Sequence, residues 1–350
     1  MADKHVVGAI LGTAVGDALG LPYEGLSRDR ALRLLGPPDR HRFFLGRGML
    51  SDDTEHTCMV AQSLIEAGGD MTVFRRRFAY RLRVWLLGVP AGVGFATLRA
   101  LLRLWIGYNP ESSGVFSAGN GPAMRAPILG AAISDPALLR EFVRASTRIT
   151  HTDPRAEYGA LAVALAAQTS ASGTRVSGAE YLAQVESAFQ GKAGEMMALL
   201  SQAVDAVSDG SSTEAFAERL GLSRGVSGYV NHTVPVAIHA WLSHPGDYRS
   251  AVSAVIRCGG DADTTAAIVG GIVGAEVGEE GIPAEWLDGI FEWPRSVAWL
   301  RRLGAQLGAT VKSGVPCRAV ETPFVLVVLR NLFFLAIVLA HGFRRLAPPY

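Results

Sequence analysis

The sequence predicts an all-α protein: one large helical domain followed by a separate hydrophobic helix. Three observations carry that reading. Apolar residues recur at helical rather than alternating spacing along most of the chain. Small residues, forty glycines among them, are threaded through the most apolar runs. The last apolar run, residues 324–343, is longer and greasier than anything before it.

Taken in order, "HVVGAILGTAVGDALG" (5–20) has the pattern of a buried helix. "DDTEHTCMVAQSLIEAG" (52–68) opens with carboxylates, which suit the positive end of a helix, and stops at Gly68-Gly69. "RAEYGALAVALAAQTSAS" (155–172) and "TTAAIVGGIVGAEVG" (264–278) are helical and rich in small residues, and 179–220 reads as peripheral amphipathic helices. Glycine inside a helix costs about 1 kcal/mol relative to alanine, so its repeated use predicts close helix-to-helix approach. Loops such as "GPPDRHRFFLGRG" (36–48) and "SSGVFSAGNGPAMRAP" (112–127) separate these elements. No internal repeat or linker divides the chain, so residues 1–315 are read as one domain and 316–350 as the hydrophobic carboxyl-terminal helix.

That final run has the ~20-residue length of a membrane span. Arg330 and Asn331 interrupt it, and Arg344 and Arg345 follow it directly. An arginine at mid-helix costs roughly 2.5–3.5 kcal/mol on insertion, while each large apolar residue returns about 0.3–0.6. Two readings stand: a helix packed on the domain or on another copy, and membrane contact through 324–343.

Composition excludes several classes. With 33 Lys+Arg against 32 Asp+Glu and a net charge of +1, no nucleic-acid partner is expected. Three cysteines without a CxxC pair, and a start without a separate cleavable apolar segment, point to a reducing cytoplasm. P-loop, HExxH and GxSxG motifs are absent, and no strand precedes "GGIVGA" as a dinucleotide fingerprint requires.

Two acidic clusters remain. "GMLSDDTEHTCMV" (48–60) sets Ser51, Asp52, Asp53 and Thr54 at a helix start, and "CGGDADTTAAIVGGIVGA" (258–275) sets Asp261, Asp263, Thr264 and Thr265 at another. Either cluster alone reads as helix capping or as a set of hard-cation ligands. Asp261 and Asp263 are two apart and point away from each other on a helix, so they converge only if Asp261 lies in the preceding turn. If the clusters meet, carboxylates about 5 Å apart repel by roughly 3 kcal/mol per pair, which a proton or a cation must relieve. All candidate ligands are oxygen, so the cation would be Mg²⁺, Ca²⁺ or Mn²⁺.

"SDDT", "GNGPAMR" (119–125), "THTDP" (150–154) and "GGDADTTAAIVGG" (259–271), in this order, resemble the ADP-ribosylglycohydrolase family. "GAILGTAVGDALGLPYEG" (8–25) is similar to its amino-terminal helix and glutamate loop, and "SGYVNHTVPVAIHAWL" (227–242) to its bacterial branch. The resemblance covers residues 6–275. It implies a compact multi-helix orthogonal bundle with a binuclear Mg²⁺ or Mn²⁺ cleft, which hydrolyses the glycosidic bond between ADP-ribose and an acceptor. By the same resemblance, the metal ligands are Ser51, Asp52, Asp53, Asp261, Asp263 and Thr264. Glu24, Asp53 and Asp261 are the catalytic candidates, with the choice of general base open. Ser117, Gly119, Asn120 and Gly121 would form the diphosphate loop, with His151 lining the cleft and Tyr229 near the nucleotide.

Two departures are Ala262 in the "GGDTDT" pattern and Asp153 where a second histidine is usual. The expected partner is an ADP-ribosylated protein, with a lean towards arginine-linked ADP-ribose. Alternatives are a small conjugate such as O-acetyl-ADP-ribose, an ADP-ribose-binding module without turnover, and a membrane-linked helical protein. His56, Cys258 and the six tryptophans are read as structural.

Overall fold

The computed structural model describes residues 2–346 and 348. Among them the chain is almost entirely helical, with isolated β-bridges and no strand. Nine helices carry the argument: α1 (Ala2–Gly20), α2 (Asp52–Ala67), α3 (Met71–Leu87), α4 (Pro127–Ala132), α5 (Pro154–Ala171), α6 (Val230–Ser243), α7 (Ala262–Val277), α8 (Val297–Ser313) and α9 (Phe324–Arg344). The segment 179–220 forms three outer helices, the first opened by a Ser177–Glu180 capping box.

At the centre α1 and α7 run antiparallel with their backbones in contact. A Cβ added to Gly8, Gly12 or Gly16 would lie 2.1 Å from the carbonyl oxygen of Gly274, Gly270 or Ala266 respectively. Only glycine permits this approach, which explains why the chain tolerates the helix-propensity cost. Both helices are apolar on every side because neighbours cover every side. Tyr248 adds a hydrogen bond from its hydroxyl to Gly12 O, at 2.6 Å. The contact holds Asp17 of α1 and Asp263 of α7 at the same end of the pair.

The carboxyl-terminal run is a helix whose interrupting polar residues face inward. Arg330 makes a bidentate pair with Glu292 (2.8 and 2.6 Å), and both are buried. Its guanidinium also lies over the Phe334 ring, and Asn331 Nδ2 donates to Gly88 O at 2.9 Å. The opposite face, including Val325, Leu329, Leu332 and Phe343, is exposed. α1 and α9 are both long and apolar enough to cross a membrane, but α1 is core.

Candidate active site

The first acidic helix, α2, is capped from outside its own carboxylates. Ser51 Oγ accepts from Asp53 N at 3.2 Å. Asp17, reaching over from α1, accepts from Ser51 N (2.9 Å), Thr54 N (3.3 Å) and Thr54 Oγ1 (2.5 Å). These bonds answer the orphan N–H groups of the first turn. The side chains of Asp52 and Asp53 are therefore not needed as caps.

The second cluster is built similarly. Asp261 lies in the turn before α7, as convergence requires, and its side chain makes no capping bond. Instead its Oδ2 accepts from Asn120 Nδ2 at 2.6 Å. Asp263 Oδ1 accepts from Thr264 N at 2.9 Å. The turn depends on glycine: Gly260 has φ +81°, and a Cβ there would lie 2.0 Å from Val226 O. The flanking loops pair on it, through Gly25 N to Gly260 O (2.7 Å) and Asp261 N to Val226 O (2.7 Å).

The two clusters meet, with Thr264 Oγ1 donating to Asp53 Oδ2 at 3.2 Å. Burial first, then neighbouring carboxylates, push the pKa values of Asp52, Asp53 and Asp263 well above the usual range. Burial raises Asp17 to about 6. Glu24 is raised by burial and by Asp261, and Asp261 by its own burial. Asp53 Oδ1 is buried with no hydrogen-bond partner. Among the described residues no three His, Cys, Asp or Glu side chains are already arranged to hold a metal ion by themselves. Ser51 and Thr264 add hydroxyls to this all-oxygen set. Crowded carboxylates, hydroxyls and one orphaned buried oxygen fit a hard divalent cation and do not fit zinc.

Above this floor opens a cleft of about 660 Å³. Glu24, Asp52, Asp261, Asp263 and Thr264 line it on one side, and Ser117, Gly119 and Asn120 on another. Ser51, Asp53, Gly121, His151 and Tyr229 lie outside that lining. His151 sits behind the glycine loop: Cβ atoms on Gly119 and Gly121 would come within 3.1 and 3.2 Å of its ring. Its Nδ1 is 2.9 Å from Thr150 Oγ1, which accepts from the buried Arg125 Nη2 at 2.7 Å. Burial pushes His151 down to about 3, so the ring is a neutral support for the loop.

A family model described as ADP-ribosylglycohydrolase matches residues 2–314. The chain belongs to the ADP-ribosylglycohydrolase family. It is similar to the ADP-ribosyl-[dinitrogen reductase] glycohydrolase of Rhodospirillum rubrum, with 30% identity over 81% of this chain and 89% of that protein. It is also similar to the ADP-ribosylhydrolase ARH3 of Gallus gallus, with 28% identity over 80% and 87%. A solved structure titled "ADP-ribosylglycohydrolase-related protein complex" superposes with a TM-score of 0.65 at 26% identity, covering 89% of this chain and 99% of that one. This chain is accordingly a hydrolase of ADP-ribose glycosidic bonds.

In this ADP-ribosylglycohydrolase the unusual Asp153 has its own work. It accepts from Arg155 N (2.9 Å) as the cap of α5 and pairs with the Arg155 guanidinium at 2.8 Å. Arg155 in turn donates to the Tyr229 hydroxyl at 3.2 Å. Tyr229 is thus held at the rim, with its backbone bridged to Gly119. Cys258 is buried with its thiol pushed up to about 12, and His56 is buried and held neutral, so both are structural. Sequence reasoning missed Asp17. The available signal was a lone carboxylate inside an otherwise apolar helix, a group that must find donors when buried.

Proposed function

We propose that this enzyme is a metal-dependent hydrolase that removes ADP-ribose from arginine on ADP-ribosylated protein. Two Mg²⁺ or Mn²⁺ ions would be held by Ser51, Asp52, Asp53, Asp261, Asp263 and Thr264. The observation that carries this proposal is the meeting of two acidic clusters on one cleft floor, joined by the Thr264–Asp53 bond, with Asp52, Asp53 and Asp261 not spent as helix caps.

When bound, the cations would supply Lewis acidity and lower the pKa of an attacking water. The chain's own residues orient and shuttle protons. Glu24 and Asp261 border the cleft, whereas Asp53 lies behind it, which favours the first two as general base. Asn120 fixes the Asp261 carboxylate through its 2.6 Å bond. Gly119 and Gly121 let the loop that would carry the diphosphate lie close against the His151 ring, which a side chain at either position would meet. The lean towards arginine rests on "SGYVNHT" alone, and a small conjugate such as O-acetyl-ADP-ribose is the competing substrate.

Release of ADP-ribose from modified peptides is expected to stop on exhaustive chelation and return with Mg²⁺ or Mn²⁺, but not with Zn²⁺. Full activity after chelation would remove the metal from the mechanism. Arginine-, serine- and acetyl-linked conjugates assayed side by side decide the acceptor, and a clear serine preference overturns the arginine reading.

The exposed apolar face of α9 supports a second proposal, contact of residues 324–343 with a lipid surface. The helix would lie on the surface rather than cross it, because Arg330 and Asn331 are committed to the domain. Co-sedimentation with phosphatidylglycerol vesicles is the expected result. Retention in the supernatant as a dimer would assign the face to a second copy.

A further inference from the structure

α9 lies beyond the family-matched residues 2–314, yet it and the Arg345 that follows it reach two of the chain segments that carry the acidic site, at Leu50 and at the Glu24 loop. We infer that this helix clamps the site, and that Arg345 is the positioning residue for Glu24. The inference rests on the cleft being the place of reaction.

Near the first half of the helix, Arg330 Nη2 donates to Leu50 O at 2.5 Å, while its partner Glu292 accepts from Leu50 N at 3.1 Å. Both polar groups of the Leu50 backbone are thereby held, one residue before Ser51. At the other end, Arg345 Nη1 donates to Glu24 O at 2.7 Å and Nη2 to Pro22 O at 3.1 Å. The Arg345 carbonyl accepts from Arg30, on the helix that follows the glutamate loop. Between these ends His341 bonds Phe43 O and stacks on the Phe43 ring at 4.6 Å.

The far side of the glutamate loop is already fixed, by Gly25 N to Gly260 O and Gly260 N to Leu26 O (2.7 and 2.8 Å). Glu24 therefore sits on a segment gripped between the Asp261 turn and the Arg345 fork. A guanidinium spans two carbonyls two residues apart with fixed geometry, which sets the peptide planes on both sides of Tyr23 and Glu24. Those planes set the direction in which the Glu24 side chain leaves the backbone. A lysine at 345 keeps the charge but lacks the planar fork that fixes the two carbonyls relative to each other.

The test uses full-length protein carrying Arg345→Ala or Arg345→Lys, each also combined with Glu24→Gln. Amide exchange of Glu24, Gly25 and Leu26 in substrate-free protein is expected to speed up at least about tenfold in the alanine variant, while that of residues 56–60 in α2 stays unchanged. Turnover should fall about tenfold with KM within about twofold, and the lysine variant should recover part of the loss. In the Glu24→Gln background Arg345→Ala should cost less than about twofold more, because its effect passes through Glu24. Unchanged exchange at 24–26 would overturn the clamp, and an undiminished tenfold loss in the Glu24→Gln background would overturn the positioning role. If the wild-type chain turns over none of the conjugates, the substrate reading fails while the exchange result still decides the clamp.

Discussion

Asp263→Asn is expected to lower turnover by at least about a hundredfold while leaving the metal-free protein as stable as wild type or more so. Asparagine caps a helix about as well as aspartate, and the hydrogen bond this side chain accepts from Thr264 N survives the change. What is lost is anionic charge. A cation requires that charge, and losing several kcal/mol of electrostatic stabilisation in the transition state costs orders of magnitude in rate. The metal-free fold gains, because burial first, and then Glu24, Asp261 and Asp53, disfavour a charge at 263. Thermal melts sharpen the contrast. Wild type should gain about 2.7 kcal/mol from Mg²⁺ at a hundred times its dissociation constant, and the variant much less.

The gain also depends on pH with a defined sign. Carboxylates whose folded pKa is raised hold protons more tightly than in the unfolded chain, so their contribution to metal-free stability is lost as pH rises through the folded values, about 6 for Asp17. Cation and proton compete for these oxygens, so the Mg²⁺ gain should be larger at pH 7 than at pH 5. Wild-type turnover in Asp263→Asn would return the stretch to plain helix capping.

Gly12→Ala is expected to destabilise the fold by about 3 kcal/mol or more, although alanine is the better helix former by about 1 kcal/mol. The new methyl would lie 2.1 Å from Gly270 O, 2.9 Å from its carbonyl carbon and 3.1 Å from Gly274 Cα, all backbone atoms of a packed helix that cannot rotate aside. The two helices must separate, which also moves Asp17 away from the α2 terminus it caps. Gly342→Ala, on the exposed helix α9 with nothing within 4 Å, should be neutral or slightly stabilising and serves as the control. Urea unfolding reads both. Equal midpoints for Gly12→Ala and wild type would show that the helices do not approach this closely.

The helices α1, α2, α5 and α7 were legible because each is long, rich in apolar or small residues, and bounded by glycine, proline or capping residues. Glycine density also predicted close packing before the partner helix was known. The spacing of Asp261 and Asp263 by two showed that they converge only if Asp261 lies in the preceding turn, and it does. The capping of α2 by Asp17 was not legible, because the lone carboxylate in α1 shows only that donors are needed and those donors lie 34 residues later. The direction of α9 was hidden for the same reason: Arg330 marks a polar face, but its partner Glu292 lies 38 residues earlier. His151 is tied to the site by its motif, but only tertiary structure shows it under Gly119 and Gly121.

The pairing of α1 with α7 also has a consequence for how the protein is made. Gly12 is bound by Tyr248, 236 residues later, and His5 by Ala275, 270 residues later. At ordinary synthesis rates of 5–20 residues per second, α1 waits on the order of ten to fifty seconds for its partner. During that time it is an apolar segment long enough to pass for a membrane span. A chain terminated anywhere before α7 keeps that surface bare for good, so shortened products are aggregation hazards rather than inert fragments. α1 is synthesised long before the helix that buries it.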